Sequence, residues 1–193
     1  MNRLYLDDVD WSLLDNWRTN SKAVSEMAYT EVFDVVPEKI LKEFCEIYTK
    51  IWSLAPQEDM PGKMLFTSEK RRADEANYGV KNINWVTMIS RDKNGTITGL
   101  TEAFYHEENP DFLEQELTGV LKEYQGKGYG KWLKAEMLFY LSNRFPKATY
   151  IQTGNNDNNA PMLSINNRMG FKVYKKITSF EFNVNETLRK LGI

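Results

Sequence analysis

The chain has 193 residues, with 27 acidic and 25 basic side chains and a formal charge of −2. At roughly 100–200 residues per domain, that length predicts one domain or one domain with a terminal extension. The missing basic surplus excludes holding a polyanion such as DNA by counterion release.

The lone cysteine, Cys45, excludes an internal disulfide framework, and with only one histidine, His106, no His/Cys metal cage can form. Hydrophobic residues make up 41% and charged residues 27%, which excludes disorder as the dominant state. No apolar run approaches the ~18 residues of a bilayer span. The opening Met-Asn-Arg-Leu-Tyr-Leu-Asp-Asp lacks the apolar core of a signal peptide. A cytoplasmic location, with no membrane or nucleic-acid partner and no metal, is the expectation.

Val9, Leu13, Leu14 and Trp17 recur at helical spacing and predict a short amphipathic helix within 8–20. Val32–Val36 reads as a strand. Pro37 suits the first turn of a helix, and Ile40, Leu41, Phe44, Ile47, Tyr48 and Ile51 carry that helix through 37–53. Ala55-Pro56 ends it, and Pro61-Gly62 marks a loop. Thr67 or Ser68 caps a polar helix through Lys70–Glu75. Ile83–Arg91 and Thr96–His106 read as two strands joined by the Asp92-Lys93-Asn94-Gly95 turn. Glu114–Leu121 is a further strand. A glycine-rich loop then opens a helix at about 129–143. Tyr150–Thr153 is a short strand, Asn159–Met169 a helix stopped by Gly170, and Phe171–Phe182 a final strand before a small helix. The order predicts a mixed α/β or α+β sandwich around one central sheet.

The informative loop is Gln125-Gly126-Lys127-Gly128-Tyr129-Gly130. Glycines let the backbone approach a ligand, and the unpaired amides and dipole at a helix start favour an anion. Lys127, Lys131 and Lys134 add positive charge at the same end. The spacing is neither a Walker A sequence nor the dinucleotide fingerprint. A plain strand–helix connection is the bland alternative.

The register also fits Q/R-x-x-G-x-G/A. About thirty residues later comes Asn155-Asn156-Asp157-Asn158-Asn159-Ala160-Pro161-Met162-Leu163-Ser164-Ile165-Asn166-Asn167-Arg168-Met169-Gly170-Phe171. Together the two segments resemble the acetyl-CoA signature of the GNAT superfamily of N-acetyltransferases. The likeness covers about residues 83–182. The second segment is most similar to the C-terminal domain of tandem GNAT proteins. Residues 1–30 then read as an N-terminal extension or linker, and 31–193 as the acetyltransferase domain.

The resemblance implies a mostly antiparallel sheet flanked by helices, with a cofactor cleft where two strands splay apart. It implies acetyl-CoA as co-substrate and a small-molecule amine as acceptor, with a homodimer as one expected assembly. The backbone of Thr118, Val120 and Leu121 would pair with the pantetheine arm. The amides of Gln125, Gly126, Lys127, Gly128, Tyr129 and Gly130 would hold the pyrophosphate. Asn159 falls on the motif asparagine, with Asn155 a weaker cofactor contact. Val120 N–H is the expected oxyanion donor.

A neutral amine attacking a thioester needs a base, and Glu114 and Glu116 share a strand face. Glu114 is the first candidate, Glu116 the second and Glu102 the third. Asn166 stands where many GNAT enzymes carry a tyrosine that protonates the leaving thiolate, and an amide has no such proton to give. Tyr124, Tyr129 or water would then serve. A catalytically weak acyl-CoA-binding or regulatory domain of a larger tandem protein is the alternative. Lys70-Arg71-Arg72 reads as a solvated helix face, and the five tryptophans and Cys45 as packing residues.

Overall fold

The computed structural model describes residues 1–55, 65–178 and 184–192. The expected Pro61-Gly62 loop lies outside them. Seven strands form one sheet: β1 (Asn2–Tyr5), β2 (Tyr29–Phe33), β3 (Ile83–Arg91), β4 (Ile97–His106), β5 (Phe112–Val120), β6 (Tyr150–Thr153) and β7 (Lys172–Val173). The helices are α1 (Trp11–Thr19), α2 (Lys22–Ser25), α3 (Glu38–Leu54), α4 (Ser68–Val80), α5 (Tyr129–Arg144), α6 (Ala160–Met169) and α7 (Val184–Leu191).

Local chemistry explains most boundaries. The Asp92 carboxylate accepts from Asn94 and Thr96 amides at 2.9 and 3.0 Å and closes the β3–β4 hairpin. Thr67 caps α4 through Lys70 N–H, and Gly170 ends α6 in the left-handed region at φ +99°. Pro37 sits one position earlier than expected, as the residue flanking α3.

The sheet order is β2-β3-β4-β5-β6-β1-β7, and every pair is antiparallel except β5–β6. Strand alternation sends Val86, Met88, Ala103 and Leu113 to one face, into a core with α1 and α5. Ile89 and Leu100 go to the other face, into a second core with α3. Burial on both faces suits β3 and β4 to the interior of the sheet, with a strand on either side of each.

Two differences from the sequence reading matter. Residues 1–30 contribute directly to the body: β1 pairs with both β6 and β7, and Leu4, Leu14, Trp17 and Ala23 are buried in the first core. The expected strand 171–182 is two residues long in its described part, with 174–178 outside any strand and 179–182 outside the described residues. The reason is spatial. β1 takes the place beside β6, and β7 pairs only with Asn2 and Arg3.

Candidate functional site

The parallel β5–β6 ladder runs from Phe112↔Tyr150 to Gln115↔Thr153 and stops there. β5 continues to Val120 while β6 ends, so the two strands splay. A register shift in the β4–β5 ladder, between Thr101↔Thr118 and Ala103↔Gln115, puts an extra residue into β5 beside this opening.

Leu121 N–H donates to Thr98 at 2.9 Å, on the β4 side. Successive amides of a strand point to opposite sides, so Val120 and Thr118 turn their N–H and C=O toward the splay. Val120 C=O accepts from the Gln125 side chain at 3.5 Å on that side. Leu121 differs from expectation: its N–H is spent on Thr98, and its C=O accepts from Tyr124 N–H. It offers a cofactor arm no backbone group.

The glycine loop sits at the mouth of the splay. Gly126 and Gly128 have φ of +71° and +86°, which only glycine adopts freely. Gly128 flanks α5 and supplies no side-chain cap, so the first-turn amides of α5 remain directed out of the helix end. Gln125 N–H is committed to Lys122 C=O at 3.2 Å, which removes it from the expected amide cradle. Lys127 is exposed on the loop, and Lys131 extends toward the Trp17 ring. Lys134 departs from the sequence reading. It lies on the inward face of α5, fully buried, and burial pushes its amine down to about 7.

Asn159 caps α6 by accepting from Met162 N–H at 3.3 Å. Asn166 is buried, donates to Asn155 at 2.6 Å, and has no partner for Oδ1 among the described residues. The Tyr124 and Tyr129 hydroxyls are already committed, donating to Asp92 at 3.1 Å and to Glu26 at 2.8 Å. Burial and those carboxylates push both phenols up, so neither is a ready acid.

On the opposite face of the sheet, α4, β3, β4 and β5 enclose an acidic, aromatic bay. Tyr78 stacks on Phe104 at 4.7 Å and meets Trp85 edge-on at 5.2 Å. Glu114 lies 3.8 Å from His106. The Glu116 carboxyl is raised to about 7, first by desolvation from the bay walls and then by Glu114 and Glu102. The register pairs Phe104 with Glu114, and alternation then puts Glu102, Glu114 and Glu116 on one face.

Sequence reasoning missed the centre of this bay. Arg71 is not solvated but 5% exposed, donating to Glu75 at 2.9 Å, to Glu102 at 2.6 Å and to Thr87 at 2.6 Å. Glu102 is thereby locked as a buried ion-pair partner and is withdrawn as a base. No local signal announces this, because Arg71 and Glu102 are 31 residues apart. A cavity of about 30 Å³ between Phe44, Tyr48, Phe66, Arg71 and Trp85 adjoins the bay, room for about one water.

No family model and no curated protein matches the sequence. Solved structures do match. A tandem GNAT protein from the clavulanic acid biosynthesis pathway superposes with a TM-score of 0.69 at 22% identity, over 90% of this chain and 49% of its own. The chain thus spans about half the length of that protein. A Salmonella typhimurium protein solved with its cofactor acetyl-CoA matches with a TM-score of 0.56 at 18% identity, over 76% of this chain and 82% of its own. An aminoglycoside antibiotic 6'-N-acetyltransferase from Acinetobacter baumannii matches at 0.53 and 14% identity, over 81% and 99%. The chain has the GNAT fold, and its splay and glycine loop are built within that fold.

Proposed function

We propose that the chain is an acetyl-CoA-dependent N-acetyltransferase that passes the acetyl group directly to the amine of a small molecule. The observation that carries this is the β5–β6 splay with the glycine-opened start of α5 at its mouth. The donor set fits the co-substrate: outward amides for a pyrophosphate, a strand edge at Thr118 and Val120 for an amide arm, and buried acceptors at Gln115 and Asn166 that have no partner among the described residues. Positioning donor and acceptor together supplies much of the acceleration.

Val120 N–H is the donor to the thioester oxygen as charge develops there. Glu116 is the base. Its raised carboxyl suits proton transfer near neutral pH, and this ranks it above Glu114. The carboxylates and the Tyr78–Phe104–Trp85 wall favour a cationic acceptor. Solved relatives of this fold include an aminoglycoside acetyltransferase, which supports a small amine.

The second reading is an acyl-CoA-binding or regulatory domain of a larger tandem protein, with residues 1–30 leading in from a preceding domain while lending β1 to the sheet. Asn166 in place of a phenolic acid favours it. The test is release of CoA thiol with acetyl-CoA and a panel of amines, including aminoglycosides and diamines. Amine-dependent release supports the enzyme; CoA binding without release supports the second reading.

A further inference from the structure

The glycine loop carries little fastening of its own. Gly126, Lys127 and Gly128 donate no backbone hydrogen bond among the described residues, and the two glycines hold φ of +71° and +86°. Each residue that must stand still loses backbone freedom, and glycine has the most to lose. A loop that binds an anion through its amides nevertheless binds best when those amides are already in place.

Two tyrosines flank the loop. Tyr124 stands just before Gln125, and Tyr129 is the first residue of α5. Their rings meet edge-on at 5.1 Å and so bring the two ends of the loop together. Each hydroxyl reaches an acid from a different part of the chain. Tyr124 donates at 3.1 Å to Asp92, whose other oxygen the Asn94 and Thr96 amides fix in the β3–β4 turn. Tyr129, 1% exposed, donates at 2.8 Å to Glu26, the residue that ends α2. Hydrogen bonds to a carboxylate are stronger than neutral ones. Glu26 is itself well placed. Its N–H donates to Lys22 C=O at 2.9 Å, and Ala23, three residues earlier, is fully buried in the first core. Met27 then turns the chain toward β2 at φ +57°, a conformation that a residue with a side chain adopts at a cost.

We propose that Tyr124 and Tyr129 are positioning residues that hold the loop amides ready for a pyrophosphate, anchored on the Asp92 turn and on the Glu26 end of α2. This rests on reading the loop as the pyrophosphate cradle of an acyl-CoA site. Both hydroxyls are committed to carboxylates, so each tyrosine acts through the backbone it fixes. Residues 1–30 thereby do more than lend β1 to the sheet. Through Glu26, 103 residues before Tyr129, they set the shape of the co-substrate loop.

The test compares the wild type with Tyr129→Phe, which keeps the buried ring and removes only the hydroxyl. NMR order parameters of the 125–130 amides are measured in the free chain. Affinities are measured for CoA and for pantetheine, which has the amide arm but no pyrophosphate. In the wild type the loop order parameters lie near about 0.85; in the variant they fall toward about 0.6, with α3 and β3 unchanged. CoA binds the variant about tenfold more weakly, the loss of about one such hydrogen bond, and pantetheine binds as before. Tyr124→Phe is read in the same way and decides the matter if Tyr129→Phe does not fold. Loop order or CoA affinity unmoved by loss of the hydroxyl overturns the positioning role and leaves the acyl-CoA reading standing. Equal weakening of CoA and pantetheine does the same. A folded wild type that binds neither CoA nor pantetheine overturns both.

Discussion

Glu116 shows how a neighbourhood makes chemistry from an ordinary side chain. Bay walls and two other carboxylates raise it to about 7. A base works only when deprotonated, so kcat/KM should rise with pH through about 7 and level above it. Glu116→Gln should remove that rise and lower kcat/KM by about 100-fold or more; a pH–rate profile of both proteins checks this. Lys134 has the opposite sign. Its folded pKa, about 7, is below the unfolded value of 10.5, so the unfolded chain binds more protons between those limits. Unfolding free energy should therefore climb with pH from about 7 toward 10.5. Lys134→Met should flatten that slope and unfold at higher urea at pH 7. The paired strand acids were readable from alternation alone. Arg71 was not, because what buries it is Glu102 on a strand distant in sequence.

Elements were legible where their signals are local. Asp92–Gly95 announces its hairpin, Thr67 and Asn159 announce their helices, and the 3.6-residue stripe of α3 announces its buried face. β1 was not legible. Four residues hold one fully buried apolar side chain, Leu4, and no alternation long enough to read. Its existence depends on β6 and β7 offering edges. Close approach between elements was equally hidden. A Cβ on Gly119 would lie 2.3 Å from Ile51 Cγ2, so β5 and α3 touch through that glycine. Gly119→Ala should force them apart and destabilise the protein by about 1–3 kcal/mol, seen as a lower urea midpoint.

At the scale of the molecule, the sequence motifs foretold the glycine loop, the Asn-bearing helix and a GNAT-type sheet, and the fold agrees. They did not foretell that β1 would lie between β6 and β7, since strand order is set by which edges remain open after the local elements form. The −2 charge likewise hides an uneven molecule. One face carries the Glu114–Glu116 bay, and the helix end at the splay presents Lys127 and outward amides. Anionic donor and cationic acceptor would thus approach from opposite sides of one sheet. No described helix is long and apolar enough to cross a membrane.

The most direct measurement is a thermal shift of the folded chain with acetyl-CoA, CoA and ATP. At about 100 times Kd, acetyl-CoA and CoA should each add about 2.7 kcal/mol, raising Tm by several degrees. ATP, which lacks the pantetheine arm, should shift it far less. A folded protein whose Tm is unmoved by acetyl-CoA and CoA would contradict the assignment of the splay as an acyl-CoA cleft.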